Sequence, residues 1–297
     1  MKPSLRMALA AALAVSAFSC AHAEDPEWTQ PQKPFRIYGN TYYVGTRGLS
    51  SVLVDTGQGL VLIDGTLPQN AKQIEANIAS LGFRITDVKL ILNSHAHSDH
   101  AGAIAELARD SGARVEASSA GAKALMLGGK DPADPQYGEA PLFPPVAQVI
   151  VVADHGVVQV GDVAITAHYT PGHTPGATTW TWRACEAGRC MNMVYADSLG
   201  AFAADGYRFG DPAHPERLEA YRRSIDTIAS LPCDILLSPH PGQSDFLERV
   251  ALRDAGAKPD PVIDGHACRA YAQAGRAKLE ARLAKEKGVQ PSGKGGH

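Results

Sequence analysis

The sequence predicts a layered α/β fold that is built as two similar halves. In each half, short strand-like runs come first, and a helix-like segment and a further strand come after them. No obvious linker separates the halves, and the chain is long enough to bury a sizeable core. The two halves share this order of elements without a clear sequence repeat.

The first half begins with two hairpin patterns. The run "RIYGNTYYVG" has a Gly39-Asn40 turn between β-rich segments, and "SSVLVDTGQGLVLID" repeats the pattern. "PQNAKQIEANIASLG" then predicts a helix, with Pro68 near its start and Gly82 as its stop signal. The continuous apolar run "DVKLILN" predicts a buried strand, and "AGAIAELARDSG" predicts the next helix.

A long loop precedes the second half. Residues 128–147 are rich in proline and glycine, and a structureless stretch of that length inside a compact domain is usually functional. Strands are expected near 148–152, 157–160 and 163–169 and in "TTWTWR", "MNMVYA" and "DILLS", and helices near 214–230, 245–253 and 267–286.

The N-terminus has the pattern of a cleaved export signal. Lys2 and Arg6 precede an apolar run over residues 7–18, and "AHA" at 21–23 supplies a cleavage site. The apolar run is too short to span a bilayer in the mature protein. We therefore expect residues 1–23 to be removed.

The mature protein is expected to be a single periplasmic domain over residues 24–297, with a mobile tail over about 288–297. No later stretch is long and apolar enough to be transmembrane. The alternative is a lipoprotein anchored through Cys20, although the preceding "AFS" is a poor lipobox. The formal net charge of −3 and the lack of a basic stripe argue against a nucleic-acid partner.

Four cysteines remain once the signal is removed, and an even count in an exported protein implies disulfides. Cys185 and Cys190 flank the short turn "CEAGRC" between two strand-like runs, so we expect them to pair. That leaves Cys233 to pair with Cys268, which would tie down the last helix. Nothing in the sequence argues for catalytic thiols.

The hexapeptide "HAHSDH", residues 95–100, follows a predicted buried strand, where α/β folds place functional loops. Imidazole nitrogens and carboxylate oxygens are donors that zinc accepts. In an extended loop, His95 and His97 project to the same side and suit one ion, whereas Asp99 and His100 point elsewhere and suit a second. Four donors cannot fill two such sites, so the hypothesis requires further ligands.

Two later segments supply further histidines after strand-like runs. "TPGHTPGAT" places His173 on a tight turn, and "LLSPHPG" places His240 at the end of an apolar run. Either histidine alone is better explained as structural or solvated. Together with the hexapeptide they complete a set of six donors.

The motifs "SHAHSDH", "PGHTPG" and "SPHPG", in this order, resemble the metallo-β-lactamase superfamily. Within it the chain most resembles subclass B3, and "FPPV", "YADSLG", "LPCD" and "ACRAYA" extend the resemblance over essentially the whole mature chain. "HxHxDH" marks only the superfamily, whereas His100, Ser198 and the secreted disulfide favour the subclass. The resemblance implies a four-layer αββα sandwich, a dinuclear zinc site at the edge of the sheets, and a monomer.

The resemblance also implies which side chains bind the two Zn²⁺ ions. His95, His97 and His173 would bind the first ion, and Asp99, His100 and His240 would bind the second. Three neutral imidazoles leave the first ion an open position, where the pKa of a water falls to near ~7. The resulting hydroxide would attack the β-lactam carbonyl, and Asp99 would orient it.

Further residues resemble functional positions of the family. Ser198 resembles a residue that binds the substrate carboxylate; the alternative is a serine that only forms a turn. Gly200 stands where some relatives have a second serine, so part of that carboxylate site is absent here. Tyr207 either donates to the carbonyl oxyanion or packs under a loop. Asp197 stands where related thioesterases have an aspartate that bridges the metals. In subclass B3 this position is not a ligand, and we expect the same of Asp197. Asp64 resembles an aspartate that orients a ligand histidine or the loop.

The leading hypothesis is a periplasmic hydrolase of small-molecule β-lactams (penicillins, cephalosporins and carbapenems) that confers antibiotic resistance. One alternative is another hydrolase of the same fold, a glyoxalase II-like thioesterase or a lactonase; the export signal, Ser198 and the Cys233–Cys268 pair argue against it. The other is a non-catalytic periplasmic zinc-binding protein, which would need neither an open coordination position nor the long loop at 128–147.

Overall fold

Two β-sheets pack face to face, and helices cover the outer face of each sheet. The computed structural model describes residues 25–288, so the predicted export signal and nearly all of the predicted tail lie outside the described residues. The order of layers is helix, sheet, sheet, helix. The predicted four-layer αββα sandwich is therefore confirmed.

The first sheet contains seven strands, which lie side by side in chain order. They are β1 (Phe35–Tyr38), β2 (Thr41–Tyr43), β3 (Val52–Asp55), β4 (Leu60–Ile63), β5 (Val88–Leu92), β6 (Arg114–Ala117) and β7 (Ile150–Val151). Strands β1 to β4 pair antiparallel, as the two predicted hairpins require. From β4 onward the neighbours are parallel, so each connection crosses over the sheet.

The second sheet contains five strands, in the order β12-β11-β10-β9-β8. They are β8 (Val157–Val160), β9 (Val163–Tyr169), β10 (Thr178–Glu186), β11 (Arg189–Tyr195) and β12 (Ile235–Leu237). Only the pair of β11 and β12 is parallel. Cys185 and Cys190 lie opposite each other in β10 and β11 and form a disulfide, as predicted.

Seven α-helices occur within residues 25–288: α1 (Ala71–Ser80), α2 (Ser98–Ala101), α3 (Ile104–Ser111), α4 (Ser119–Met126), α5 (Pro215–Ser230), α6 (Phe246–Asp254) and α7 (Ala267–Glu286). Helices α1 and α3 pack on the outer face of the first sheet, and α5 and α7 cover the second. The predicted disulfide between Cys233 and Cys268 ties α7 to the segment before β12. No helix in this part of the chain combines the length and the apolar composition that crossing a bilayer requires.

The core between the sheets contains two buried tryptophans on β10. The indole nitrogen of Trp180 donates to the backbone oxygen of Asn93, at the end of β5. That of Trp182 donates to the hydroxyl of Thr41 on β2. Both partners belong to the other sheet, so these hydrogen bonds satisfy the buried donors and fix how the sheets face each other.

Residues 114–126 form a strand and a helix that the sequence analysis did not predict, β6 and α4. The strand has only four residues, of which Arg114 and Glu116 are charged, so it lacks a continuous apolar run. Helix α4 begins just after this strand and contains Gly121, a residue that is unfavourable in helices. At its start, the Ser118 side chain accepts a hydrogen bond from the backbone N–H of Gly121. The predicted loop over 128–147 has neither helix nor strand.

Candidate metal centre

Three loops bring the six predicted donors together, and each loop follows a strand. The donors are His95, His97, Asp99 and His100 after β5, His173 after β9, and His240 after β12. The first loop belongs to one sheet and the other two to the second. The candidate centre is therefore assembled across the interface between the two halves.

The hexapeptide is only half extended. His97 has β-type dihedral angles, φ −100° and ψ 156°, but helix α2 begins at the next residue. Asp99 and His100 thus lie on a helical turn, and that turn, rather than the alternation of an extended loop, directs them away from His97. The expected alternation of an extended loop therefore holds only as far as His97.

The first donor group consists of His95, His97 and His173. One ring nitrogen from each can be chosen so that all three lie within 4.8 Å of one another. All three side chains are buried. The rings meet edge to face, with centroids 4.7–4.9 Å apart. Three imidazoles converging in this way are a typical set of ligands for zinc.

Each ring of this group has one nitrogen engaged by a neighbouring oxygen. The contacts are His95 Nδ1 to Asp197 Oδ1 at 2.7 Å, His97 Nε2 to Asp134 Oδ2 at 3.0 Å, and His173 Nδ1 to Gly200 O at 2.7 Å. Each ring keeps its other nitrogen for a metal. The buried Nε2 of His95 has no hydrogen-bond partner among the described residues, which is what a metal ligand without its ion would show.

The second donor group consists of Asp99, His100 and His240. Asp99 Oδ2 lies 3.1 Å from His100 Nε2 and 3.2 Å from His240 Nε2, and the two nitrogens are 3.2 Å apart. Ligands about 2.0 Å from a tetrahedral zinc are about 3.3 Å from one another. The spacing of these three atoms therefore fits one zinc ion. The rings of His95 and His100 have centroids 4.4 Å apart, so the two groups are adjacent.

Burial and neighbouring charges shift the pKa values of several donors. Burial, reinforced by the neighbouring histidines, lowers the pKa of His95 well below its usual value and that of His173 to about 3. Burial alone would raise the pKa of Asp99, but His100 and His240 outweigh it and hold that pKa well below its usual range. Near neutral pH, His95 and His173 are thus neutral imidazoles and Asp99 is a carboxylate, the forms that bind metals. Burial alone would lower the pKa of His100, but the Asp99 carboxylate outweighs it and raises that pKa, so a metal at that ring must replace a proton.

Asp64 supports the loop that carries these donors. Its carboxylate accepts hydrogen bonds from Asn93 Nδ2, from both the backbone N–H and the hydroxyl of Ser94, and from the Tyr195 hydroxyl, at 2.6–2.9 Å. Asp64 has φ 62°, a left-handed conformation that is costly for a residue other than glycine. These four bonds compensate that cost and fix the chain just before His95.

Asp197 lies beside the first group without joining either set of donors in the described chain. Its carboxylate faces Nδ1 of His95, and its backbone oxygen accepts a hydrogen bond from the Tyr271 hydroxyl. Burial, together with the negative charge of Asp64, raises the pKa of Asp197 well above its usual value.

A cavity of about 600 Å³ opens over the donors, a volume in the usual range for small-molecule sites. Its walls include Trp28, Arg47, Gln136, Ser198 and Phe202. Gln136 belongs to the loop over residues 128–147. The long loop is thus part of the site, as its length and composition suggested.

The structure brings Ser198 to the cavity but not Tyr207. Ser198 is buried, and its hydroxyl has no hydrogen-bond partner in the part of the chain that the structure describes. The ring of Tyr207 packs edge-on against Phe209 and lies under the guanidinium of Arg217, and it does not line the cavity. Gly200 contributes its carbonyl to His173 rather than a side chain to the cavity.

Two residues next to the donors were missed by the sequence analysis. The ring of Trp28 lies against that of His240, with centroids 5.5 Å apart. Gly48 makes this approach possible, because a Cβ there would lie 2.7 Å from Cδ1 of Trp28. Asp134, which contacts His97, lies inside the long loop. Neither residue belongs to a periodic pattern or a motif, so no local signal identifies them.

Residues 44–240 match the model of the metallo-β-lactamase superfamily, and this range includes all six donors. Solved structures give the same result. The chain is 52% identical to MEM-A1, a subclass B3 metallo-β-lactamase isolated from a soil metagenome library, with a TM-score of 0.85 over 88% of this chain and 99% of that one.

Two further solved structures are similar over almost the same part of the chain. The Rm3 metallo-β-lactamase is 51% identical, with a TM-score of 0.85 over 88% of this chain and 97% of that one. The metallo-β-lactamase SMB-1, solved with 2-mercaptoethanesulfonate, is 46% identical, with a TM-score of 0.83 over 87% of this chain and 99% of that one.

Proposed function

Because this chain belongs to the metallo-β-lactamase superfamily, and within it to subclass B3, we propose that it hydrolyses the amide bond of β-lactams at a centre holding two Zn²⁺ ions. The observation that carries the proposal is the division of the six donors into two adjacent groups beneath one cavity. His95, His97 and His173 would hold one ion, and Asp99, His100 and His240 would hold the other.

Zinc bound to these residues would activate a water for attack and polarise the β-lactam carbonyl. The protein's own contribution is to hold the donors in place. Asp99 Oδ2 contacts His100 and His240, and the side chain remains 16% exposed at the cavity. Its carboxylate can therefore also accept a hydrogen bond from the attacking water and orient it. No residue of the chain has to form a covalent intermediate.

Ser198 is proposed to bind the carboxylate of the substrate. Ser198 lines the cavity, and its buried hydroxyl has no partner among the described residues, so it can donate to a substrate that reaches it. Gly200 cannot supply a second hydroxyl, which leaves Ser198 as the hydroxyl donor at this point of the wall. The position of Tyr207 outside the cavity lining does not support the proposed contact with the oxyanion.

The protein is proposed to act in the periplasm as a monomer. The predicted export signal at residues 1–23 supports this localisation, and the two disulfides are consistent with an oxidising compartment.

A panel of substrates tests the proposed reaction. The zinc-loaded protein is assayed against a penicillin, a cephalosporin, a carbapenem, a thioester and a lactone, before and after treatment with a chelator. We expect hydrolysis of the β-lactams that chelation abolishes. Cleavage of the thioester or the lactone without the β-lactams would instead identify one of the alternative hydrolases, and no turnover at all would favour a zinc-binding protein.

A pair of histidine variants tests the proposed ligands. His97→Ala removes one donor of the first group and should reduce β-lactam turnover to background. His214→Ala is the control, because this exposed histidine contacts Glu216 outside the donor groups and should leave turnover unchanged. Wild-type turnover in His97→Ala would reject its role as a ligand.

A further inference from the structure

The loop over residues 128–147 sends one carboxylate to the first donor group. Asp134 Oδ2 lies 3.0 Å from Nε2 of His97, and the two side chains are only 10% and 9% exposed. An ionised carboxylate can only accept a hydrogen bond, so the imidazole nitrogen facing it must carry the proton. The lone pair of a neutral His97 is then on Nδ1.

His97 forms its hydrogen bond through the opposite ring nitrogen from His95 and His173. His95 and His173 each engage Nδ1 and keep Nε2 for a metal, and their partners, Asp197 and Gly200, both follow β11. His97 engages Nε2 and keeps Nδ1. Neutral imidazole in water favours the Nε2–H form only modestly, so the ring needs a fixed acceptor to hold this tautomer.

Asp134 also holds the wall of the cavity. Its second oxygen, Oδ1, accepts a hydrogen bond of 2.7 Å from the backbone N–H of Gln136, whose side chain lines the cavity. The next residue, Pro135, accepts a 2.8 Å hydrogen bond from the backbone of Ala204. One carboxylate therefore joins a predicted metal ligand to the loop that shapes the substrate cavity.

We propose that Asp134 is a positioning residue that fixes His97 as its Nε2–H tautomer and couples the loop at the cavity to the first donor group. The inference deepens the proposed function, on which it rests for the assumption that His97 binds a metal. Asp134 touches neither substrate nor metal and acts only through His97.

Replacing Asp134 by asparagine tests the contact with His97 directly. The Asp134 carboxylate accepts two hydrogen bonds, one on each oxygen. An asparagine has one carbonyl oxygen and one NH₂ group, so it can accept only one of them. Asp134→Asn therefore preserves the size of the side chain and loses either the contact to His97 or the contact to Gln136.

The first test uses the metal-free wild-type protein. Long-range ¹H–¹⁵N correlation spectra distinguish the two neutral tautomers from the protonated ring and report which nitrogen of His97 carries the proton. We expect Nε2–H for His97. A predominantly Nδ1–H ring would overturn the proposal without any variant having to fold.

The second test compares zinc affinity across variants by competition with a chelator. Asp134→Asn and Asp134→Ala should weaken zinc binding by about 10–100-fold, the usual effect of losing the hydrogen-bond partner of a ligand histidine. Asp131→Asn is the matched control, because this buried carboxylate anchors the same loop through Lys123 and the backbone of Ala133 without touching His97. Its zinc affinity should stay near that of the wild type.

Equal zinc affinity in both Asp134 variants and the wild type would overturn the proposal, and so would an equal loss in Asp131→Asn, because the effect would then belong to the loop as a whole. Neither test uses a β-lactam. A protein that failed to hydrolyse β-lactams would refute the proposed function while leaving these two results to be judged separately.

Discussion

At the scale of single residues, the hydroxyl of Ser198 is expected to contribute to substrate binding. It is buried at the cavity, and no described residue satisfies it. A hydrogen bond to a charged group contributes about 1.5–3 kcal/mol, which corresponds to about a tenfold change in affinity or more. Ser198→Ala should therefore raise KM for a penicillin about tenfold with little change in kcat, as measured by steady-state kinetics. Unchanged KM would show that the serine belongs only to the turn.

Asp64 is expected to matter for folding rather than for the contact with substrate. Four hydrogen bonds converge on its buried carboxylate, and an asparagine cannot accept all four. Leaving buried donors without partners costs about 1–3 kcal/mol. Asp64→Asn should lower the free energy of unfolding by about that amount in urea titrations of the metal-free protein.

The control for Asp64 is Asp55→Asn, which changes a carboxylate whose hydrogen bond to the backbone of Gly57 is exposed. A surface change of this kind should stay within about 0.5 kcal/mol of the wild type. Equal stability of the Asp64 and Asp55 variants would contradict the support role of Asp64.

Among the elements, α7 depends on a covalent tie. Cys233 and Cys268 are 35 residues apart, whereas Cys185 and Cys190 are 5 apart within one hairpin. Loop-closure entropy assigns about 4 kcal/mol to the longer loop and about 2 kcal/mol to the shorter one. Replacing Cys233 and Cys268 by serine should therefore destabilise the protein more than the same change at Cys185 and Cys190.

Urea unfolding of the two double variants, each in the same buffer, measures the difference between the disulfides. The β10–β11 ladder already holds Cys185 and Cys190 opposite each other, so their disulfide should add less stability. A larger loss of unfolding free energy for the Cys185 and Cys190 variant would contradict this expectation. Circular dichroism confirms beforehand that both variants retain their helices.

Elements with a strong periodic or apolar pattern could be predicted from the sequence, and weakly patterned ones could not. The two hairpins, β5 and α1 follow from turn residues, an apolar run and helix start and stop signals. Strand β6 and helix α2 have four residues each, too few for a period to appear. What stabilises such short elements is their neighbours in the fold, and those neighbours are not local in sequence.

The candidate centre was predictable where a motif carries it and not elsewhere. The six donors stand in short motifs after strand-like runs, so the sequence alone predicted them as a set, and the structure places them close together. Asp134 and Trp28 are brought to His97 and His240 by tertiary packing across 37 residues and more than 200 residues, respectively. Contacts of that range leave no trace in local spacing.

At the scale of the whole molecule, a bound metal would join the two halves. His95 and His97 follow a strand of the first sheet, whereas His173 and His240 follow strands of the second. Metal that binds only the folded state adds RT ln(1 + [L]/Kd), about 4 kcal/mol when free zinc is 1,000 times its Kd. Chelation should lower the urea midpoint accordingly, and an unchanged midpoint would mean that the donors bind no metal in the folded protein.

Two zinc ions bound at these donors are proposed to support β-lactam hydrolysis. Zinc is titrated into the metal-free protein while binding is followed calorimetrically and carbapenem hydrolysis is measured on the same samples. We expect no hydrolysis without metal, rising activity as zinc is added, and saturation at two equivalents per chain. Hydrolysis by the metal-free protein, or binding that ends at one equivalent with full activity, would contradict it.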